Sequence, residues 1–325
     1  MLSVNSDPAI VQSAAPKISV VIPVYNYGSF LPAALDSVLQ QDDSALEIVV
    51  VDDGSSDDTA EVAMRWAARH PSRVRYYWQS NRGPGAARNN GAQRCFGDYL
   101  LFLDADDRML PDALSHFRRA IAANPDADLI CGGYRSVYRD GSSRTRPAPN
   151  VSPTKFQNFR RFVRGELCVC NGGAIMLRKR VIDALRYPET IRTSEDYVFF
   201  SQAIALFECV SFSDPVVAIF KHDASLRNNA NALAAAGMQM VDLLFDSKVL
   251  PRDYFSLRPE VYSRWCLLVS RALLKHGDLV GAKKSYERAI KAYPLNLRLV
   301  GYLRKYIRAT AKLWLKKIHR HRGRI

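Results

Sequence analysis

Gly97-Asp98-Tyr99-Leu100-Leu101-Phe102-Leu103-Asp104-Ala105-Asp106-Asp107 carries an apolar run that ends abruptly in three carboxylates within four positions. A short run of branched and aromatic side chains reads as a buried strand, Tyr99 to Leu103, with the acidic turn at its carboxyl end. Carboxylates this close repel one another unless a cation or a hydrogen-bond network compensates. All-oxygen ligands of this kind suit Mg²⁺ or Mn²⁺, held by one or two carboxylates together with substrate phosphates. Taken alone, the turn reads better as a solvated acidic cap for a helix starting near Pro111.

The segments upstream change the weight of that motif. Ile18-Ser19-Val20-Val21-Ile22 is a buried-strand pattern that stops at Pro23. A helix is expected over Leu31 to Gln41, with Pro32 suited to its first turn. Glu47-Ile48-Val49-Val50-Val51 is a second strand, and it runs into Asp52-Asp53-Gly54-Ser55-Ser56-Asp57. Asp57 or Asp58 can cap the next helix, Thr59 to Arg69. Val74 to Trp78 reads as a third strand and Gly85 to Cys95 as a helix. Alternation of this kind predicts an α/β fold, a Rossmann-like and mostly parallel sheet with helices on both faces. Ligands of such sheets bind outside the carboxyl ends of the strands, where the sequence puts Tyr25-Asn26, Asp52-Asp53 and Asp104 to Asp107.

Asp52 and Asp53 at a strand end can accept from a uracil ring N–H or from ribose hydroxyls. Helix capping leaves them unexplained, because Asp57 and Asp58 suffice for that. Asn81 to Asn89 is a glycine-rich loop opening a helix. Its helix-start N–H groups, with Arg82 or Arg88, can face a diphosphate; a plain turn before a tightly packed helix is the competing reading.

Val21-Ile-Pro-Val-Tyr-Asn26, Val50-Val-Asp-Asp-Gly-Ser-Ser-Asp57, Asn81 to Gly91, and Gly97 to Asp107 occur in one order and spacing. Together they resemble the family 2 glycosyltransferases of GT-A fold, over about Lys17 to Leu226, and this reverses the reading of the acidic turn. The resemblance implies inverting, metal-dependent transfer from a nucleoside-diphosphate sugar. Pro23, Tyr25 and Asp53 would line the base pocket, and Asp53 would take the base N–H. Asp104 would contact ribose or a metal-bound water, Asp106 would ligate Mg²⁺ or Mn²⁺, and Asp107 would support it. Asn171-Gly172-Gly173 and Ser194-Glu195-Asp196 continue the likeness. Glu195-Asp196 resembles the acceptor-side acidic pair whose Asp is the catalytic base; by itself the pair would equally cap a helix over Tyr197 to Phe207. His222 matches a position where a histidine closes over the metal or diphosphate, and a structural role stands beside it. Processive relatives carry Gln-x-x-Arg-Trp. Here Val261 stands at the Gln position before Arg264-Trp265, so transfer of one sugar or a few is expected.

The chain divides into a flexible segment (1–16), the catalytic domain (17–226) and a helical extension (227–325). In the extension, Ala282, Tyr286, Ala289, Ile290 and Pro294 have the spacing of one tetratricopeptide-like hairpin that turns at Gly277-Asp278. The net charge of +14 belongs to the tail, because the last acidic residue is Glu287 and twelve Lys and Arg follow it. Leu299, Leu303, Tyr306, Thr310, Leu313, Trp314 and Ile318 form one apolar stripe flanked by cations. The segment 302–325 therefore suits either an anionic membrane surface or packing on the protein; nucleic acid is disfavoured because nothing else points to it. Six cysteines without zinc spacing and a start without a signal pattern lead to an expected cytoplasmic location, peripheral on the inner face of the membrane. The acceptor expected is a glycan or lipid-linked hydroxyl. Rival readings are a sugar nucleotidyltransferase, which lacks its basic loop after the first strand, and a non-catalytic binding protein with a basic tail.

Overall fold

The computed structural model describes residues 15–167, 172–221, 230–308 and 310–311. Its N-terminal half follows the expected alternation: β1 (Ile18–Val24), α1 (Leu31–Leu39), β2 (Leu46–Asp52), α2 (Thr59–Arg69), β3 (Val74–Trp78), α3 (Pro84–Arg94) and β4 (Tyr99–Phe102). After the acidic turn come β5 (Arg108–Met109), α4 (Ala113–Ala123), β6 (Leu129–Val137), β7 (Ser143–Arg146), α5 (Lys155–Val163), β8 (Ile175–Arg178), α6 (Lys179–Ala184), α7 (Glu195–Leu206) and β9 (Cys209–Phe220).

Among the described residues nine strands form one sheet in the order β3-β2-β1-β4-β8-β6-β9-β5, with β7 paired to β6. The block β3-β2-β1-β4 is parallel throughout. Beyond it the sheet is mixed, because β8 runs antiparallel to both β4 and β6, while β6 and β9 are parallel. Side chains of a strand alternate between faces. Val49 and Val51 therefore join one core, with Ala87 of α3, Phe159 of α5 and Phe199 of α7. Ile48 and Val50 join the other, with Leu35 of α1, Val62 of α2 and Phe117 of α4. A strand buried on both faces reads as a continuous apolar run, which is the pattern in β1, β2 and β4.

The stretch 139–154 is mostly exposed and contains β7, which closes a hairpin on β6. Its turn is set by Gly141 at φ 80° and by Asp140, whose carboxylate accepts from the Ser142 N–H at 2.9 Å.

The C-terminal region contains α8 (Ala230–Leu244), α9 (Arg258–Lys275), α10 (Leu279–Ala292) and a last helical stretch, 300–308. Helices α9 and α10 pack on each other as a hairpin, with His276, Gly277 and Asp278 between them. Ala282, Tyr286 and Ala289 are buried, and Asp278 caps α10 by accepting from Gly281 N–H at 2.8 Å. The hairpin joins the main core through Val261, Trp265 and Val269, and Arg164, just past α5, grips Glu260 with two bonds of 2.9 and 2.8 Å. The boundary expected at 226/227 lies outside the described residues. In the tail, Leu299, Leu303 and Tyr306 pack against Cys266, Leu267 and Tyr286, so the first half of the stripe faces the hairpin. Leu313, Trp314 and Ile318 lie outside the described residues. No helix among the described residues is long and apolar enough to cross a membrane.

Helix α3 lies so close on the sheet that a Cβ at Gly91 would meet Val21 Cγ1 at 2.4 Å and Val51 Cγ2 at 3.2 Å. Gly91→Ala gains about 1 kcal/mol of helix propensity, but overpacking of this kind costs about 1–3 kcal/mol. A lower urea midpoint is expected, and an unchanged or raised one would show that α3 has room to move.

Candidate functional site

The site grows from the carboxyl ends of β1, β2 and β4, which the parallel register brings side by side: Val24 pairs with Asp52, and Val21 with Phe102. Just past β1, Tyr25 is 47% exposed and Pro23 is half-buried. Asn26 adopts φ 53°, a left-handed conformation that Asn tolerates better than most residues. Its amide oxygen accepts from Ser56 N–H at 2.8 Å, and its own N–H donates to Ser55 Oγ at 2.9 Å. The loops after β1 and β2 are thereby tied together.

Asp52 and Asp53 have structural partners that the sequence did not reveal. Asp52 is fully buried and accepts from Ser55 N–H at 2.8 Å and from the Tyr76 hydroxyl at 3.0 Å. Burial and that hydrogen bond push the Tyr76 phenol up to about 12. Asp53 accepts from Gln79 Nε2 at 2.7 Å and from the N–H groups of Arg82 and Gly83, both at 2.8 Å. Two N–H groups of the loop that leads into α3 are thus taken by Asp53. A carboxylate has about four lone-pair sites, so Asp53 keeps capacity for one more donor.

Both arginines have carboxylate partners that the sequence did not reveal. Arg82 is exposed and paired with Glu189, on the segment before α7. Arg88 is enclosed, one nitrogen on Glu195 at 2.7 Å and another on Asp104 at 3.0 Å. A guanidinium with both arms committed between two carboxylates is not presented to a diphosphate.

At the acidic turn, carboxylate oxygens of Asp104, Asp106 and Asp107 lie within 4.8 Å of one another. Asp107 is 4% exposed and accepts from Phe220 N–H at 3.0 Å. Burial, then the charges of Asp104 and Asp106, hold its carboxyl well above the usual range, against the opposing pull of the Phe220 N–H and Lys221. Burial and the same three carboxylates, Asp106 foremost, also raise the phenol of Tyr27, a site neighbour that the sequence did not single out. Hard oxygen donors with excess negative charge fit a divalent cation such as Mg²⁺ or Mn²⁺. Gly172 backs this cluster: a Cβ there would meet Asp107 Oδ2 at 2.6 Å and Asp104 Oδ2 at 3.1 Å. Only its place in a quoted motif signalled that contact. His222 and Asn171 lie outside the described residues.

The acceptor-side pair opens α7. Ser194, just before it, is left-handed at φ 64°, and Asp196 Oδ1 accepts from Tyr197 N–H at 2.7 Å. Glu195 is buried; desolvation raises its carboxyl, Arg88 pulls it down, and Asp196 pushes it up again. The residues expected on the donor and acceptor sides therefore share one edge of the sheet, joined through Arg88.

Residues 19–186 match the model of Glycosyl transferase family 2. A Campylobacter jejuni GalNAc(5)-diNAcBac-PP-undecaprenol beta-1,3-glucosyltransferase is 40% identical over 102 residues, covering 31% of this chain and 33% of that one. The chain spans only 16–39% of the length of the curated relatives it matches. Residues 1–349 of S. aureus TarS in complex with UDP superpose with a TM-score of 0.55 at 19% identity, covering 86% of this chain and 92% of that one. A mannosyltransferase, PcManGT from Pyrobaculum calidifontis, in complex with GDP-Man and Mn²⁺, gives 0.57 at 19% identity, covering 94% and 89%. The fold is GT-A.

A carboxyl raised in the folded state stabilises the fold below its unfolded value, and that contribution is lost as pH rises through the folded value. Asp107→Asn removes the repulsion yet keeps an oxygen for Phe220 N–H. In EDTA at mildly alkaline pH the variant should melt higher than the parent protein, and the gap should close on acidification. Mn²⁺ should raise the melting temperature of the parent more than that of the variant. Identical melting curves in EDTA at all pH values would refute the strained acidic cluster.

Proposed function

Because the chain belongs to Glycosyl transferase family 2, we propose that it transfers a sugar from a nucleoside-diphosphate sugar, a UDP-sugar, to a hydroxyl of a glycan or lipid-linked acceptor. Transfer inverts the anomeric carbon and is non-processive, in the synthesis of a cell-surface polysaccharide or glycoconjugate. The observation that carries this reading is the single edge on which the strand-end carboxylates and the Glu195-Asp196 pair face one another through Arg88. Neighbours of similar fold hold UDP in one case and GDP-Man with Mn²⁺ in another. The related C. jejuni enzyme is named for an undecaprenol-linked acceptor.

Each group has a chemical task in this reading. Pro23 and the exposed ring of Tyr25 offer a surface for the base, and Asp53 accepts the base N–H with its remaining lone pair. Asp104 faces the ribose. Asp106 and Asp107 would hold Mg²⁺ or Mn²⁺, which when bound neutralises charge on the departing diphosphate. Asp196 accepts the proton of the acceptor hydroxyl as its oxygen attacks the anomeric carbon from the face opposite the diphosphate. The new C–O bond forms as the bond to the diphosphate breaks, and the nucleoside diphosphate leaves with that electron pair.

Asp196→Asn is nearly isosteric and keeps an oxygen for Tyr197 N–H, but it cannot take a proton. Turnover should fall by roughly 10²- to 10⁴-fold, the usual span for a general base, with UDP affinity little changed. Turnover at the parental rate would move the base to another carboxylate.

The location we propose is peripheral, on the cytoplasmic face of an anionic membrane. What supports it is the outer face of 300–308, where Val300, Arg304, Ile307 and Arg308 are exposed, while the opposite face packs on the hairpin. Each cation near such a leaflet contributes about 1 kcal/mol and is weakened by salt. Full-length protein should pellet with anionic vesicles at low salt, and a variant with Arg304, Lys305 and Arg308 changed to Glu should stay in the supernatant. Equal sedimentation of the two would return the tail to a purely structural role.

A further inference from the structure

We propose that Arg88 is a positioning residue that holds donor-side Asp104 and acceptor-side Glu195 at a fixed separation, and so sets the placement of the neighbouring base Asp196. The inference rests on the glycosyltransferase reading above and adds a residue that reading does not use.

Arg88 is the one Lys or Arg below 9% exposure among the described residues, at 7%. Enclosing a cation is costly unless it is paired and hydrogen-bonded, and here the pairing is double. One nitrogen reaches Glu195 Oε1 at 2.7 Å and another reaches Asp104 Oδ1 at 3.0 Å. Burial alone would pull the guanidinium down, but Asp104 and then Glu195 outweigh it, so the group stays charged. The fork of the guanidinium is planar and rigid, so two carboxylates bound to it cannot vary their spacing independently. Its carbon also lies 5.5 Å from the ring centroid of Tyr187, and that ring stacks on Phe199 of α7 at 4.1 Å.

Independent contacts show that the whole start of α3 is fitted to the acceptor-side segment. Asn89, the next residue, exchanges two hydrogen bonds with Tyr187: its amide nitrogen donates to the Tyr187 carbonyl and its amide oxygen accepts from the Tyr187 N–H, both at 2.9 Å. The same amide nitrogen reaches Glu189 at 2.9 Å. At Gly85 a Cβ would come within 2.6 Å of the Pro188 carbonyl oxygen and 3.4 Å of Glu195 Cγ. At its other end this loop is held by Asp53, through the N–H groups of Arg82 and Gly83. A continuous path of named contacts thus runs from the β2 end through α3 to the residue preceding Asp196. Arg88 is its charged member.

The test combines Arg88→Lys, Glu195→Gln and the double variant. Lysine keeps the charge and reaches one carboxylate, but it has no fork. Glutamine leaves a hydrogen-bond acceptor and removes the acceptor-side charge. UDP affinity in Mn²⁺ is measured by calorimetry. Transfer is measured with a UDP-sugar and acceptor pair that the parent protein turns over. For Arg88→Lys, a misplacement of this size should cost about 10²-fold in kcat, with weaker UDP binding as well. Glu195→Gln should lose kcat with UDP affinity within about twofold of the parent, because the donor arm is intact. In the double variant kcat should be no lower than in Arg88→Lys alone, since the two residues act as one unit. A merely structural role would instead lower binding and turnover together, in proportion to the folded fraction, which melting curves report. Parental kcat in Arg88→Lys, or single losses that multiply in the double variant, would overturn the proposal while leaving the glycosyltransferase reading standing. A parent protein that neither binds UDP nor transfers from any UDP-, GDP- or dTDP-sugar would remove both.

Discussion

Parallel strands that end on one edge of a sheet bring the residues that follow them together, and in this chain those residues are acidic. Asp52, Asp53, Asp104, Asp106, Asp107, Glu195 and Asp196 gather at or beside the carboxyl ends of β1, β2 and β4, and four of the seven are buried. Concentrated negative charge in a low-dielectric edge opposes folding unless it is compensated. The compensation is of three kinds. Asp52 and Asp53 are satisfied by N–H groups, a hydroxyl and an amide. Glu195 and Asp104 share one buried guanidinium. The turn from Asp104 to Asp107 remains under-compensated, as the raised carboxyl of Asp107 records. That ordering separates the site into two parts: at Asp52, Asp53 and Glu195 charge is met by groups of the protein itself, and at the turn the three carboxylates leave a place that suits a cation.

The parallel half of the fold was legible because its physics is local. Strands buried on both faces must be apolar throughout, and the helix over Thr59–Arg69 and the strand over Val74–Trp78 fall where the sequence put them. β7 was not legible, because Ser143-Arg144-Thr145-Arg146 is exposed at every position and lacks the alternation that marks a half-buried strand. Its pairing with β6 is created by the turn at Asp140-Gly141 and not by burial. The antiparallel insertion of β8 between β4 and β6 was likewise hidden, since three apolar residues and an arginine do not announce a direction.

Within the site, residue types were legible and partners were not. The acidic clusters were found as motifs, and the structure does bring Asp104, Asp106 and Asp107 together. The sequence offered Arg82 or Arg88 to a diphosphate, beside the reading of a plain turn before a packed helix. One of the two partners of Arg88, Glu195, lies 107 residues away, and no local pattern encodes such a pairing. The same holds for Gly172: only the folded chain shows that its missing side chain makes room for two carboxylates.

The helical extension follows from the same accounting. A single hairpin cannot bury its own apolar face, and α9 with α10 solves this on two sides. One side contributes Trp265 and Val269 to the main core, and the other is covered by Leu299, Leu303 and Tyr306. Covering that second face turns the first part of the apolar stripe inward, so the cations of 300–308 point away from the protein with Val300 and Ile307 among them. The stripe and the basic face are therefore parts of one arrangement: packing inward is what fixes the direction of the charge. A helix that packed nothing could present any face, whereas this one can present only the basic one.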